Sequence, residues 1–185
     1  MNSFLGRLIL AFASVSLCIT SLRVRAESQE QQTTGSGEPG TQVLSTPSSN
    51  FELKIVNGSF LVRQRGSQEW KRASELTEPV VIGLFDGDHK IYVATKAIKP
   101  PKAIHARQPD YPSAERKSGG QGQVLMHIVV DEQGAVRLPT VDVSPGPEFA
   151  VASIKAVGRW SFEPATLDGQ PVAAVIIVTM EFKIH

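Results

Sequence analysis

Proline and glycine residues divide the C-terminal half of the chain into short segments, and this punctuation constrains its fold more than any other sequence feature. Gln108-Pro-Asp-Tyr-Pro112 is followed by Gly122-Gln-Val124 and then by Arg159-Trp-Ser-Phe-Glu-Pro164. Proline interrupts helix interiors and central strands, and glycine favours turns. Each segment between two such breaks therefore has room for a single helix or strand.

The segments of this half predict the order helix, strand, strand, helix, strand. Their expected ranges are residues 113–117, 122–131, 135–143, 147–159 and 172–185. Two helices can cover one face of a three-stranded antiparallel sheet, so an α+β domain is expected over residues 101–185. Pro139 is expected to interrupt the pairing of the second strand or to place that strand at an edge.

Residues 51–99 predict a small all-β module made of two hairpins. Asn57-Gly58 joins residues 51–56 to residues 60–65, and both of its positions tolerate positive φ. A second hairpin is expected around Asp86-Gly-Asp-His89. Four such strands are marginal alone, so the module is expected to pack on the next domain or on a copy of itself.

The N-terminal residues predict export from the cytoplasm. Residues 1–26 carry Arg7, an apolar run and Val24-Arg-Ala26, as a cleaved signal peptide does. The alternative is an uncleaved membrane anchor through residues 8–22, although a bilayer core requires about 20 apolar residues. Residues 27–50 are rich in Glu, Gln, Ser, Thr, Gly and Pro, which predicts a disordered linker.

Cysteine and charge exclude several functions. Cys18 is the only cysteine and lies in the export segment, so the exported part has no disulfide or thiol chemistry. Removal of residues 1–26 would remove three arginines and no acid, which changes the formal charge from +1 to −2. A nearly neutral domain gives no electrostatic reason to expect nucleic-acid binding.

The polar residues do not form a recognisable catalytic or metal-binding set. The four histidines are scattered, without the spacing of metal ligands. Asp86 and Asp88 flank Gly87, and a hairpin turn accounts for both. With no nucleophile, base and orienting group in sight, the chain is not expected to be an enzyme, and no cofactor or metal is expected.

The motifs of the C-terminal half, in their order and spacing, resemble the C-terminal domain of TonB over residues 101–185. The motifs are Pro109-Asp-Tyr-Pro112, Gly122-Gln-Val124, Val130-Asp-Glu-Gln-Gly134, Ala156-Val-Gly-Arg-Trp-Ser-Phe-Glu-Pro-Ala165, Asp168-Gly-Gln-Pro-Val172 and Met180-Glu-Phe182. TonB proteins work in the periplasm and couple inner-membrane energy to outer-membrane transporters. The resemblance implies a periplasmic location, with or without an inner-membrane anchor through residues 8–22.

The resemblance also implies a peptide-binding site. In this family a segment of an outer-membrane transporter pairs with the last strand by β-augmentation, and that strand is residues 172–184 here. The residues implied are Gln108, Tyr111, Val172, Val175, Ile177, Thr179 and Glu181. The alternative is an edge capped by residues 51–99 or by a second copy, giving a homodimer. Tyr111 is alternatively a packing anchor, and Trp160 and Phe162 are expected in the core.

Two functions follow from this resemblance. The first is a TonB-like protein that engages an outer-membrane TonB-dependent receptor. The second is an exported interaction or scaffold module that binds another envelope protein without energy coupling. The apolar N-terminal segment contains no histidine and the linker is short and poor in proline, and both features depart from TonB.

Overall fold

The computed structural model describes residues 43–44 and 49–184. The predicted signal peptide or anchor and most of the predicted linker lie outside these residues. Within the described ranges, no helix is both long enough and apolar enough to cross a membrane.

The N-terminal part forms a four-stranded antiparallel sheet. Its strands, in spatial order, are β1 (Val43–Leu44), β2 (Phe51–Val56), β3 (Ser59–Gln64) and β4 (Lys71–Arg72). The β2–β3 turn has positive φ at Asn57 and Gly58, as the Asn-Gly signal requires. One 3₁₀ turn, Ala73–Glu75, follows β4 directly.

The remaining elements build a second, larger sheet, a separate two-stranded sheet and two helices. The strands before the helices are β5 (Val80–Phe85), β6 (His89–Val93), β7 (Ile98–Lys99) and β8 (Lys102–His105). Then come α1 (Ser113–Ser118), β9 (Gly122–Val130), β10 (Val136–Val143) and α2 (Pro147–Val157). The chain ends with β11 (Ser161–Glu163), β12 (Ala165–Leu167) and β13 (Gln170–Phe182). The predicted mixture of strands with few helices is confirmed.

The long strand β13 is the centre of the larger sheet. It pairs antiparallel with β9, which in turn pairs antiparallel with β10. On its other side β13 pairs in parallel with β6, the second strand of the β5–β6 hairpin. The hairpin from residues 80–93 therefore adds to the sheet that the C-terminal residues build.

The two faces of this sheet are buried by different partners. Alternate side chains of β9 and β13 pack against Phe149 and Val157 of α2. The intervening side chains, including Val129 and Val175, pack against Leu53 of the N-terminal sheet. Because strand side chains alternate between faces, one strand pair serves both cores. The molecule thus has three layers. The sequence predicted residues 51–99 as one module, whereas β2 and β3 lie in the N-terminal sheet and β5 and β6 lie in the larger sheet.

A buried carboxylate organises the turn between β9 and β10. Asp131 is 1% exposed and accepts hydrogen bonds from the amides of Gln133 (3.0 Å) and Ala135 (2.7 Å). Arg137 Nε donates to its other oxygen at 2.8 Å. Burial raises the pKa of Asp131, but the Arg137 and amide hydrogen bonds outweigh it and leave the pKa below its usual value.

The same turn holds the segment after α2. Gly134 has φ +80°, and a Cβ at this position would lie 1.9 Å from the carbonyl oxygen of Phe162. The Phe162 amide donates to the Gly134 carbonyl at 2.9 Å. The close backbone approach therefore requires glycine for space as well as for conformation.

Pro139 interrupts the pairing of β10, as predicted. The β9–β10 register shifts between Arg137 and Thr140, and Leu138 has φ +45° with 55% of its surface exposed. A proline cannot donate to the ladder, so the strand accommodates it with a bulge.

Gly134→Ala should destabilise the fold far more than Gly169→Ala. Both glycines have φ +80°, but a Cβ at Gly169 would meet nothing within 4 Å. Gly169→Ala should cost about 1–2 kcal/mol of unfolding free energy from backbone strain alone. Gly134→Ala adds a backbone clash and should cost about 3 kcal/mol or more. Urea unfolding measures both, and equal losses would contradict the close approach.

Asp131→Asn should flatten the acid limb of the stability curve. Because the folded pKa is lowered, the carboxylate contributes stability above the unfolded pKa of about 3.9, and this contribution is lost as pH falls through the folded value. The variant should lose about 1–2 kcal/mol at pH 7 and approach the parent protein once the pH falls below the lowered pKa of Asp131. Urea unfolding at several pH values measures this. Asp168→Asn, at an exposed turn, is the control, and a constant difference between Asp131→Asn and its parent would refute the assignment.

Candidate functional site

The edge of β13 that faces away from β9 is covered only in part. β9 pairs with β13 from Ala174 to Phe182. On the opposite side β6 covers three residues, Ala173 to Val175. Over residues 176–180, no described strand pairs with that side of β13. This stretch, named here the open segment, presents a strand edge.

The residues expected on this strand fall into two groups. Val172 lies opposite Ala165 of β12. Val175 lies between Val93 and Val129 and is 1% exposed, so both its backbone sides and its side chain are already occupied.

The other strand residues lie in or beside the open segment. Ile177 is partly exposed and Thr179 is exposed. Glu181, just beyond, accepts a hydrogen bond from Gln123 (3.4 Å) and an ion pair from Lys183 (2.6 Å). The free edge of β13 is therefore shorter than the sequence predicted, because β6 pairs with its N-terminal part.

The helix-facing side chains hold the open segment in place. Val178 and Met180 are buried in the core beneath α2, at 8% and 2% exposure. With β9 paired along the other edge, the backbone of this stretch has little freedom to move. A partner strand would meet a preformed edge.

Gln108 and Tyr111 lie in a separate groove along α2, with a volume of about 570 Å³. One wall comes from the segment before α1 and consists of His105, Arg107, Gln108, Asp110, Tyr111 and Pro112. The other wall comes from α2 and the residues after it and consists of Glu148, Val151, Ala152, Lys155, Ala156 and Arg159. The structure thus brings Gln108 and Tyr111 together, apart from the strand residues.

Tyr111 connects the groove to the end of β13. Its hydroxyl donates a hydrogen bond to the carbonyl of Gly120. Its ring packs edge-on against Phe149 of α2 and against Phe182, the last residue of β13, with centroid distances of 6.0 and 5.7 Å. Tyr111 is therefore a packing anchor that also lines the groove.

Trp160 fixes the other end of the groove wall. Its indole Nε1 donates to the carbonyl oxygen of Arg107 at 2.8 Å, and its ring packs at the border of the core. Phe162 is 6% exposed and belongs to the core, as expected from the sequence. The sequence analysis did not predict the charged groove residues of α2, Glu148 and Lys155. Their spacing of seven residues, which places both on one helix face, could have indicated them.

Outside the groove, a histidine and an aspartate form a buried pair on β9 and β10. His127 Nδ1 lies 2.8 and 3.1 Å from the carboxylate oxygens of Asp142, and both side chains are buried between β9 and β10. This pair joins two adjacent strands. In the part of the chain that the structure describes, no three histidine, cysteine, aspartate or glutamate side chains lie together as metal ligands would.

Residues 107–184 match the family model described as the Gram-negative bacterial TonB protein C-terminal. Among curated proteins, TonB of Vibrio cholerae is 37% identical over 79 residues, which cover 42% of this chain and 32% of that protein. TonB2 of Pseudomonas aeruginosa is 32% identical over 83 residues, covering 44% and 31%. TonB of Xanthomonas campestris pv. campestris is 29% identical over 94 residues, covering 50% and 39%. The chain spans about a third of the length of these relatives.

A solved structure similar to this chain is the solution NMR structure of the Pseudomonas aeruginosa TonB C-terminal domain. It has a TM-score of 0.42 and 26% sequence identity, and it covers 47% of this chain and 89% of that chain. The family match and the sequence relatives carry the assignment: residues 107–184 of this chain belong to the TonB C-terminal domain family.

Proposed function

We propose that this protein binds an extended segment of an outer-membrane transporter as an added strand on the open segment of β13, in TonB-dependent transport. The observation that carries the proposal is the stretch of residues 176–180, paired with β9 on one side and with no described strand on the other. Its outward amides and carbonyls can form main-chain hydrogen bonds with a peptide, and these supply affinity with little dependence on sequence.

The neighbouring strand β6 sets the length of the bound peptide. It ends its pairing with β13 at Val175, so a partner strand begins at residue 176. Five residues of strand span about 17 Å. A partner would therefore supply a short extended segment of about five residues. Its side chains would alternate between the face near Ile177 and the face above α2.

The cellular setting is part of the same proposal. The relatives are TonB proteins, and the chain matches them over their C-terminal domain. Such a domain meets a transporter in the periplasm. Attachment to the inner membrane through residues 8–22 would allow the chain to transmit force, whereas a cleaved chain would act as a binding module only. The state of the N-terminus in fractionated envelopes separates these two forms.

Proline substitution at the outward amide of the open segment should weaken transporter binding. Neighbouring residues of a strand direct their N–H groups to opposite sides, so Ile176→Pro and Ile177→Pro differ in effect. The variant that removes an amide from the β9 ladder should have a lower melting temperature. The variant that removes an outward amide should stay folded and should bind the transporter at least about tenfold more weakly, and the melting temperatures identify which variant is which.

The measurement is retention of TonB-dependent transporters from a detergent extract of outer membranes by the immobilised full chain. Ile176→Ala and Ile177→Ala are the controls, because each shortens the side chain but keeps the backbone amide. Undiminished retention by the folded variant would rule out the open segment as the site. Retention of other envelope proteins alone would favour the scaffold function.

A further inference from the structure

The groove along α2 carries a charge gradient from one end to the other. Glu148 lies in the first turn of α2, Lys155 lies in its last turn, and Arg159 follows two residues after the helix ends. Between them the wall is apolar, and Val151 has 47% of its surface exposed. This wall is therefore acidic at one end, basic at the other and apolar in the middle.

The opposite wall repeats the same polarity. Asp110 adjoins Tyr111, whose ring contacts Phe149 near the start of α2. Arg107 is fixed near the end of α2, because its carbonyl accepts the hydrogen bond of Trp160. Asp110 therefore lies toward the Glu148 end of the groove, and Arg107 lies toward the Arg159 end.

These charges are not neutralised within the domain. No ion pair within 4.0 Å joins any of them to another described residue, whereas other surface charges of the protein are paired. The charged groups concerned are Arg107, Asp110, Glu148, Lys155 and Arg159. A ligand with the complementary charge pattern would find partners at both ends of the groove and apolar contact between them.

The length of the helix sets the spacing of that pattern. From Glu148 to Val157, the last residue of α2, a helical rise of 1.5 Å per residue gives about 14 Å, and Arg159 lies two residues further along the chain. An extended peptide covers this distance in about five residues. We infer that the groove binds a second extended segment of the partner, with an acidic and a basic residue about five positions apart and small apolar residues between them.

One partner polypeptide can reach both sites. Tyr111 lines the groove and touches Phe182, at the C-terminal end of the strand that contains the open segment. The identity of the partner as a transporter rests on the proposed function, whereas the charge pattern rests on the groove alone.

Synthetic peptides test the charge pattern without any transporter. The probe is a blocked hexapeptide with the sequence Glu-Ser-Ala-Val-Ser-Lys, and its neutral match carries Gln at both ends. Titrations are followed by amide shifts of α2 in the ¹⁵N-labelled full chain. The charged peptide should bind at least about fourfold more tightly than the neutral one, since each exposed ion pair contributes a factor of about two to five.

A double-mutant cycle assigns the charges to the groove. Lys155→Gln should weaken binding of the charged peptide about two- to fivefold and leave binding of the neutral peptide unchanged. Lys117→Gln is the matched control, since Lys117 is an exposed lysine at the end of α1 outside the groove. Both lysines are exposed, so neither change should alter the fold.

Three results would overturn the inference. The first is equal binding of charged and neutral peptides, and the second is a Lys155→Gln variant that binds like the parent. The third is an α2 response that occurs only after deletion of residues 27–42, which would make the chain's own N-terminal segment the occupant.

The two proposals fail separately. If the folded proline variant still retains transporters while the charged peptide binds the groove, the open segment is refuted and the charge pattern stands. If retention of transporters depends on the open segment while the charged peptide does not bind, the groove inference is refuted and the strand-addition proposal stands.

Discussion

The pairing of β13 with β9 is the interaction on which the rest of the structure depends. The strand β13 is 13 residues long and its pairing with β9 runs from Ala174 to Phe182. One face of this strand pair contributes to the core beneath α2, and the other contributes to the core shared with the N-terminal sheet. Because side chains alternate along both strands, a shift by one residue would exchange the two faces and disrupt both cores at once.

This dependence explains why the open segment can be both exposed and ordered. An isolated edge strand is prone to fraying and to non-specific association. Here the buried side chains Val178 and Met180 and the β9 ladder hold the open segment from two directions. The third direction is left to a partner. The exposed pair Glu181 and Lys183 follows directly, and charged residues at an edge oppose uncontrolled pairing.

Local patterns in the sequence were sufficient for the elements that depend on neighbouring residues. Asn57-Gly58 forms the expected turn and Pro139 interrupts its strand, since both effects are steric and act within a few residues. An edge capped by residues 51–99 was one alternative, but the sequence did not predict that β6 would pair in parallel with β13 and cover part of that edge. This pairing joins Val93 to Val175, and neither strand carries a local signal that names its partner. The sequence therefore predicted Val175 at a free edge, whereas the structure places it between two strands.

Local sequence patterns were also insufficient to predict the charged groove along α2. Gln108 was expected at a binding site from the family resemblance, but the charges around it acquire meaning only when two distant segments meet. That meeting depends on two aromatic residues. Tyr111 is packed against Phe149 and Phe182, and Trp160 holds the backbone of Arg107 by a hydrogen bond. The segment between β8 and α1 has neither helix nor strand of its own, so these two anchors supply the rigidity that its backbone lacks. The same proline-rich segment that ends the regular structure therefore places a charged wall beside α2. The hydrophobic core thus determines the geometry of the surface that is proposed to meet a partner.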